Sequence, residues 1–134
     1  MAEVIQYTLG MSNGFFVRDR GLIAVDCGSE LGREPFLRVC EEHGIAPRDI
    51  GRLVVSHGHA DHYVNMDEMR AVTGALLMCH KNAERNLREA IYPDVRARNR
   101  VGRGILAQVR SEEEPVPILP PMAPDLLVEG TVDL

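Results

Sequence analysis

Apolar and polar positions alternate from Val4 to Leu9, with Ile5, Tyr7 and Leu9 on one side, which predicts a half-buried strand. Gly10 to Ser12 break it. Asn13 to Val17 and Leu22 to Val25 predict two further strands, joined by Arg18-Asp19-Arg20-Gly21 as a hairpin turn with Gly21 supplying a positive φ. Pro35 to His43 predicts a helix: proline suits a first turn, Phe36, Leu37, Val39 and Cys40 form an apolar face, and Gly44 is a C-terminal cap. Pro47-Arg48-Asp49 turns the chain into Leu53-Val54-Val55, a short β-branched run that predicts a buried strand ending at Ser56. Val64 to Val72 predicts a helix stopped by Thr73-Gly74, and Ala75 to Cys79 another buried strand. Lys81 to Ala90 is a polar surface helix. An acidic and proline-rich stretch, residues 112–124, predicts a stiff linker. Leu126 to Val128 and Thr131 to Leu134 then predict strands flanking a Glu129-Gly130 turn.

The length, 134 residues, suits one domain, and 45% hydrophobic with 26% charged residues suits a globular chain. A net charge of −5 argues against general nucleic-acid binding. The first residues carry no basic segment followed by an apolar core, and no run is long enough to span a bilayer. Three scattered cysteines, Cys27, Cys40 and Cys79, fit reduced thiols in a cytoplasmic protein better than a disulfide framework.

The chemistry concentrates in His57-Gly58-His59-Ala60-Asp61-His62, which holds three of the five histidines. These six residues are expected to form a loop at the C-terminal end of the Leu53-Val54-Val55 strand. In extended backbone His57 and His59 point the same way and can share one metal ion. Asp61 and His62, after a bend, can reach a second. Imidazole and carboxylate suit zinc, iron or manganese, and two such ions about 3.5–4 Å apart can hold a bridging hydroxide. The bland alternative is a polar loop whose histidines are satisfied by hydrogen bonds.

Other residues carry two readings. Asp26 is a turn aspartate or a support for the metal loop from outside the ligand set. His43 reads as a solvated helix end, Cys27 as packing, and His80 as structural or as a pocket edge. Arg96, Arg98, Arg100, Arg103 and Arg110 form a solvated face, or a cationic cap near the site that attracts an anionic substrate.

The H-x-H-x-D-H pattern after an apolar strand resembles the signature of the metallo-β-lactamase-fold hydrolases. Asn13 to Val17, then Gly21 to Gly28 with Asp26-Cys27-Gly28, look like that family's N-terminal strands and its Asp-x-Gly turn. Gly74-Ala75 followed by a strand and His80, and the stretch Pro124 to Leu134, are also similar. Tyr63-Val64 depart from the small residues that follow the motif in many members.

The resemblance implies an α/β fold. Residues 1–134 would be a single, truncated domain: the N-terminal βα half of an αββα sandwich, with a mixed, largely antiparallel sheet flanked by helices. It implies His57, His59, Asp61 and His62 as metal ligands, with Asp61 also orienting the hydroxide or taking its proton. One or two zinc ions are expected, with iron or manganese as alternatives. The implied reaction is attack of metal-bound hydroxide on a small-molecule ester, thioester, lactone, lactam or phosphodiester. The family's remaining ligands come from the second half of its domain, and no histidine follows His80 here. Two further expectations therefore stand beside the enzyme: a catalytically incompetent half-domain serving as a binding or assembly piece, and a homo-oligomer or second chain that completes the site. No membrane or nucleic-acid partner is expected.

Overall fold

Glu3–Leu9 (β1) and Ser12–Arg18 (β2) pair antiparallel, and Leu22–Val25 (β3) adds antiparallel to β2. In this computed structural model, which describes residues 1–91, 96–111, 119 and 121–131, the meander extends into a six-stranded sheet in the order β1-β2-β3-β4-β5-β6. Ile50–Val55 (β4), Leu76–His80 (β5) and Leu126–Val128 (β6) each lie parallel to the strand before them. The sheet is mixed, as expected, with two antiparallel and three parallel strand pairs. Parallel neighbours need a crossover, and every connection after β3 contains helix. Arg33–Glu42 (α1) precedes β4. Ala60–Tyr63 (α2) and Met66–Thr73 (α3) precede β5. Lys81–Glu89 (α4) and Arg100–Ser111 (α5) precede β6.

Local chemistry explains most of the element ends. Helix α1 closes on Gly44 at φ 62°, where the Gly44 and Ile45 amides donate to the Glu41 and Cys40 carbonyls at 3.0 and 2.8 Å. Gly74, at φ 72°, ends α3 in the same left-handed way. The β2–β3 turn closes instead through an Asp19 amide bonded to the Gly21 carbonyl at 3.0 Å, and Gly21 is not among the positive-φ residues. The predicted helix Val64–Val72 begins later, at Met66, because the chain first makes the separate turn α2.

The core lies on one side of the sheet. Phe16, Ala24, Leu53 and Leu77 are fully buried in register across β2–β5, and Phe36, Met69 and Leu87 of α1, α3 and α4 cover them. The stretch expected as a linker is described only at 119 and 121–124. There Leu119 and Met122 enter the core, with the Met122 amide on the Leu87 carbonyl at 2.9 Å. Asp125 clamps β6: its amide donates to the Leu77 carbonyl, its carboxylate accepts from the Leu77 amide, and Arg70 holds it at 2.9 Å. The strand expected over Thr131–Leu134 lies outside the described residues beyond Thr131, which has no regular structure. Among the described residues no helix is long and apolar enough to cross a membrane.

Candidate metal centre

Strand β4 delivers Ser56 and then the motif at its C-terminal end. The motif is not all loop. The chain bends through His57 and Gly58, His59 is extended as an N-cap residue at φ −88°, ψ 144°, and Ala60, Asp61 and His62 wind into α2. The bend expected after His59 is thus a helical turn. It folds the fourth ligand candidate back on the first. The His57 and His62 rings lie 4.0 Å apart, centre to centre, and the His57 and His59 rings 4.7 Å apart. His57 and His59 are exposed, while the His62 side chain keeps 19% of its surface.

Asp26 is the pivot beneath these rings. It is buried at the end of β3 and holds a left-handed backbone, φ 61°, that is uncommon outside glycine. One carboxylate oxygen, Oδ1, accepts from the Ser56 amide at 2.8 Å. The other, Oδ2, accepts from Ser56 Oγ at 2.6 Å and pairs with His62 Nδ1 at 2.9 Å. The carboxylate thus bonds the motif loop rather than nearby turn amides, while the Asp26 amide and carbonyl bond the Val54 carbonyl and the Tyr7 hydroxyl. A carboxylate behind Nδ1 accepts its N–H, which keeps the proton on that nitrogen and leaves the Nε2 lone pair facing outward.

Nε2 of His62 meets Asp61 Oδ2 at 3.2 Å. An imidazole nitrogen and a carboxylate oxygen at that separation lie close enough to share a cation. Two ligand atoms each about 2.0–2.1 Å from one tetrahedral zinc ion stand about 3.3 Å apart, so this pair suits a shared cation. The wider set is less converged. Among the described residues no three His, Cys, Asp or Glu side chains come together as a group that could hold a metal ion. His57 Nδ1 is engaged by Ser56 Oγ at 2.9 Å. Desolvation lowers the His57 pKa from its ordinary value, and the His62 and His59 rings add to that, so His57 favours the neutral form that ligates.

Four residues not singled out from the sequence build the frame. Ser12 Oγ donates to the Asp61 carbonyl at 2.6 Å. Asn65, buried directly after α2, exchanges two hydrogen bonds with the Gly32 backbone at 2.8 and 2.9 Å, while its amide meets Cys27 Sγ at 3.2 Å. Asn86 of α4 donates to the Gly58 carbonyl at 3.2 Å. It packs so closely that a Cβ on Gly58 would sit 2.8 Å from its amide nitrogen. Ser56, the fourth, adjoins the motif and was open to reading from it. The other three act across 49, 33 and 28 residues of chain, which no local pattern reveals. His80 is structural: it caps α4, its Nδ1 accepting from the Asn82 amide at 3.2 Å. His43 ends α1, as expected. Arg98, Arg100 and Arg103 are exposed around α5.

The chain is similar to known proteins over most of its length. The family described as Metallo-beta-lactamase superfamily matches residues 7–133. Metallo-beta-lactamase domain-containing protein 1 of Homo sapiens is 39% identical over 61 residues, 46% of this chain and 22% of the human protein. Its Rattus norvegicus counterpart is 40% identical over 47 residues, 35% of this chain and 19% of its own length. Among solved structures, a subclass B3 metallo-beta-lactamase of Bradyrhizobium japonicum superposes with a TM-score of 0.64 at 20% identity, over 91% of this chain and 41% of that one. A metallo-beta-lactamase of Cronobacter sakazakii with a HARLDQ motif gives 0.62 at 18% identity, over 87% and 41%. The chain thus spans about a fifth of these curated relatives and two fifths of these structures.

Proposed function

We propose that this chain, which belongs to the metallo-beta-lactamase superfamily, supplies the His57–His62 loop to a metal-dependent hydrolytic centre. The superfamily generally binds metal ions, typically zinc, and zinc is the ion proposed here, as one or two ions. The observation that carries the reading is His62 held between two carboxylates, Asp26 at Nδ1 and Asp61 at Nε2. His57 and His59 would hold one ion and Asp61 with His62 a second. A bound metal would lower the pKa of its water to near neutrality and polarise the electrophile.

The chain's own residues do the remaining work. Asp26 fixes the tautomer and direction of His62. Asp61, less buried than Asp26, orients the attacking water and accepts its proton at the carboxylate. Ser56 ties the Asp26 carboxylate to the start of the loop. The substrate class is a small-molecule ester, thioester, lactone, lactam or phosphodiester.

One observation favours a second reading, a non-catalytic binding or assembly piece: no three donors converge among the described residues. Metal content separates the two. Zinc, iron and manganese are measured per chain, by elemental analysis, after dialysis against a mild chelator. Retention of about one ion or more, lost in His59→Ala, supports the metal centre. Metal-free wild-type protein, or unchanged content in the variant, ends it.

A further inference from the structure

Gly58 alone separates the two histidines proposed to share one ion. The backbone dihedrals on either side of the Gly58–His59 peptide decide where the His59 ring stands relative to His57. Nothing local settles them, because glycine has the freest backbone of all residues. The His57 ring is tethered at Nδ1 by Ser56 Oγ at 2.9 Å, whereas among the described residues the His59 ring has no hydrogen-bond partner. Its place is therefore inherited from the peptide that leads into it. Gly58 is not among the positive-φ residues, so its backbone does not require glycine. Space does: a Cβ there would stand 2.8 Å from Asn86 Nδ2, 2.9 Å from Asn86 Cβ and 3.1 Å from Asn86 Cγ. The chain leaves out one side chain here to admit another from 28 residues away.

We propose that Asn86 is a positioning residue for the metal centre, its amide holding the Gly58–His59 peptide in the orientation that sets the His59 ring against His57. Asn86 Nδ2 donates to the Gly58 carbonyl at 3.2 Å. Because the peptide is planar, holding that oxygen constrains Gly58 ψ and His59 φ together. The two rings then stand 4.7 Å apart with 69° between their planes. Asn86 can hold the peptide because it is itself held. It lies in the last turn of α4, where its carbonyl accepts from the Ala90 and Ile91 amides, the latter at 3.1 Å. The hydroxyl of Tyr63 reaches the same carbonyl at 3.4 Å, and Tyr63 and Leu87 on either side are fully buried. Tyr63 directly follows His62 in α2, so one residue of α4 is in contact with both the middle and the end of the motif. Asp26 governs the His62 arm through Nδ1; Asn86 governs the His59 arm through the backbone. What the rings are turned toward rests on the metal centre proposed above, but their orientation needs no ion.

Asn86→Leu tests this, since leucine keeps the branched shape and removes the donor. Thr73→Ala is the control: it gives up bonds to the Met69 carbonyl and the Ala75 amide, both outside the motif. Circular dichroism of each full-length variant checks the fold. In metal-free protein at about pH 9, where imidazole is neutral, the ring-proton shifts of His57 and His59 report the mutual angle of the two rings. They should move in Asn86→Leu and stay in place in Thr73→Ala. Zinc affinity, measured by competition with a chromophoric chelator, should fall about tenfold in Asn86→Leu and hold in Thr73→Ala. A wild-type chain that binds no zinc would end the metal reading, and the ring shifts would still decide whether Asn86 orients His59. Folded Asn86→Leu protein with unmoved ring shifts, or with the zinc affinity of a zinc-binding wild type, overturns the proposal.

Discussion

Replacing Asp26 by asparagine tests the geometry of the site at its pivot. Asparagine tolerates the left-handed backbone at φ 61°, so the fold should persist. The Ser56 amide can only donate, so the side-chain oxygen of Asn must take the Oδ1 position and its nitrogen the Oδ2 position. That nitrogen then donates to Ser56 Oγ and to His62 Nδ1, both of which now face Oδ2. Accepting at Nδ1 moves the proton of neutral His62 to Nε2, where it points at Asp61, 3.2 Å away. Every polar group is satisfied again, so urea unfolding should shift stability by no more than about 1 kcal/mol. Metal affinity behaves differently, since Nε2 has lost its outward lone pair. Zinc binding, measured by competition with a chromophoric chelator, should weaken about 10- to 100-fold, or about 1.4–2.8 kcal/mol. Ring nitrogen shifts of metal-free protein at about pH 9, where imidazole is neutral, should report protonated Nε2 in the variant. An unchanged tautomer in a folded variant, or zinc affinity within threefold of wild type, would refute the role assigned to Asp26.

Further outcomes are expected elsewhere. Burial pushes the Cys27 thiol up to about 12 and the Cys40 and Cys79 thiols to about 11. All three stay protonated at about pH 8, and an aromatic disulfide reagent should label none of them until denaturant is added; prompt labelling of native protein would contradict their burial. Gly58→Ala forces the new methyl against Asn86 and should cost about 1–3 kcal/mol of stability. Adding Asn86→Ala should recover part of that loss, and strict additivity in thermal unfolding would show that the contact is not the cause. Asn65→Ala leaves the Gly32 amide and carbonyl without their partners and should cost about 2–3 kcal/mol, read from urea midpoints; a loss below 0.5 kcal/mol would mean water replaces the amide freely.

The strands were legible because each announces itself locally: alternation at Ile5, Tyr7 and Leu9, and the β-branched run into Ser56. The helices α1 and α4 were legible from apolar spacing and terminal glycine or polarity. The sense of each pairing was not, because it depends on which elements intervene: β1–β3 form a meander, while helical crossovers bring β4, β5 and β6 in parallel. The motif's histidines were found from their spacing, yet a bend within a loop was expected where Ala60–Tyr63 wind into helix. Nothing in His-Ala-Asp-His marks that turn, which is held by Ser12 on the Asp61 carbonyl and by the Cys27 amide on the His62 carbonyl. Long-range partners such as Asn65 and Asn86 look like ordinary helix polar residues until the chain is folded.

The distance along the chain between Asp26 and His62, 36 residues, also orders events during synthesis. The β1–β3 meander makes only local pairings, the kind that form early, and it leaves the ribosome with Asp26 already at its end. At about 5–20 residues per second, His62 follows roughly 2–7 s later. The loop is therefore delivered to a carboxylate already waiting for it. On the proposed metal centre, an ion that met the nascent histidines before they docked would find them without the partner that sets their lone pairs.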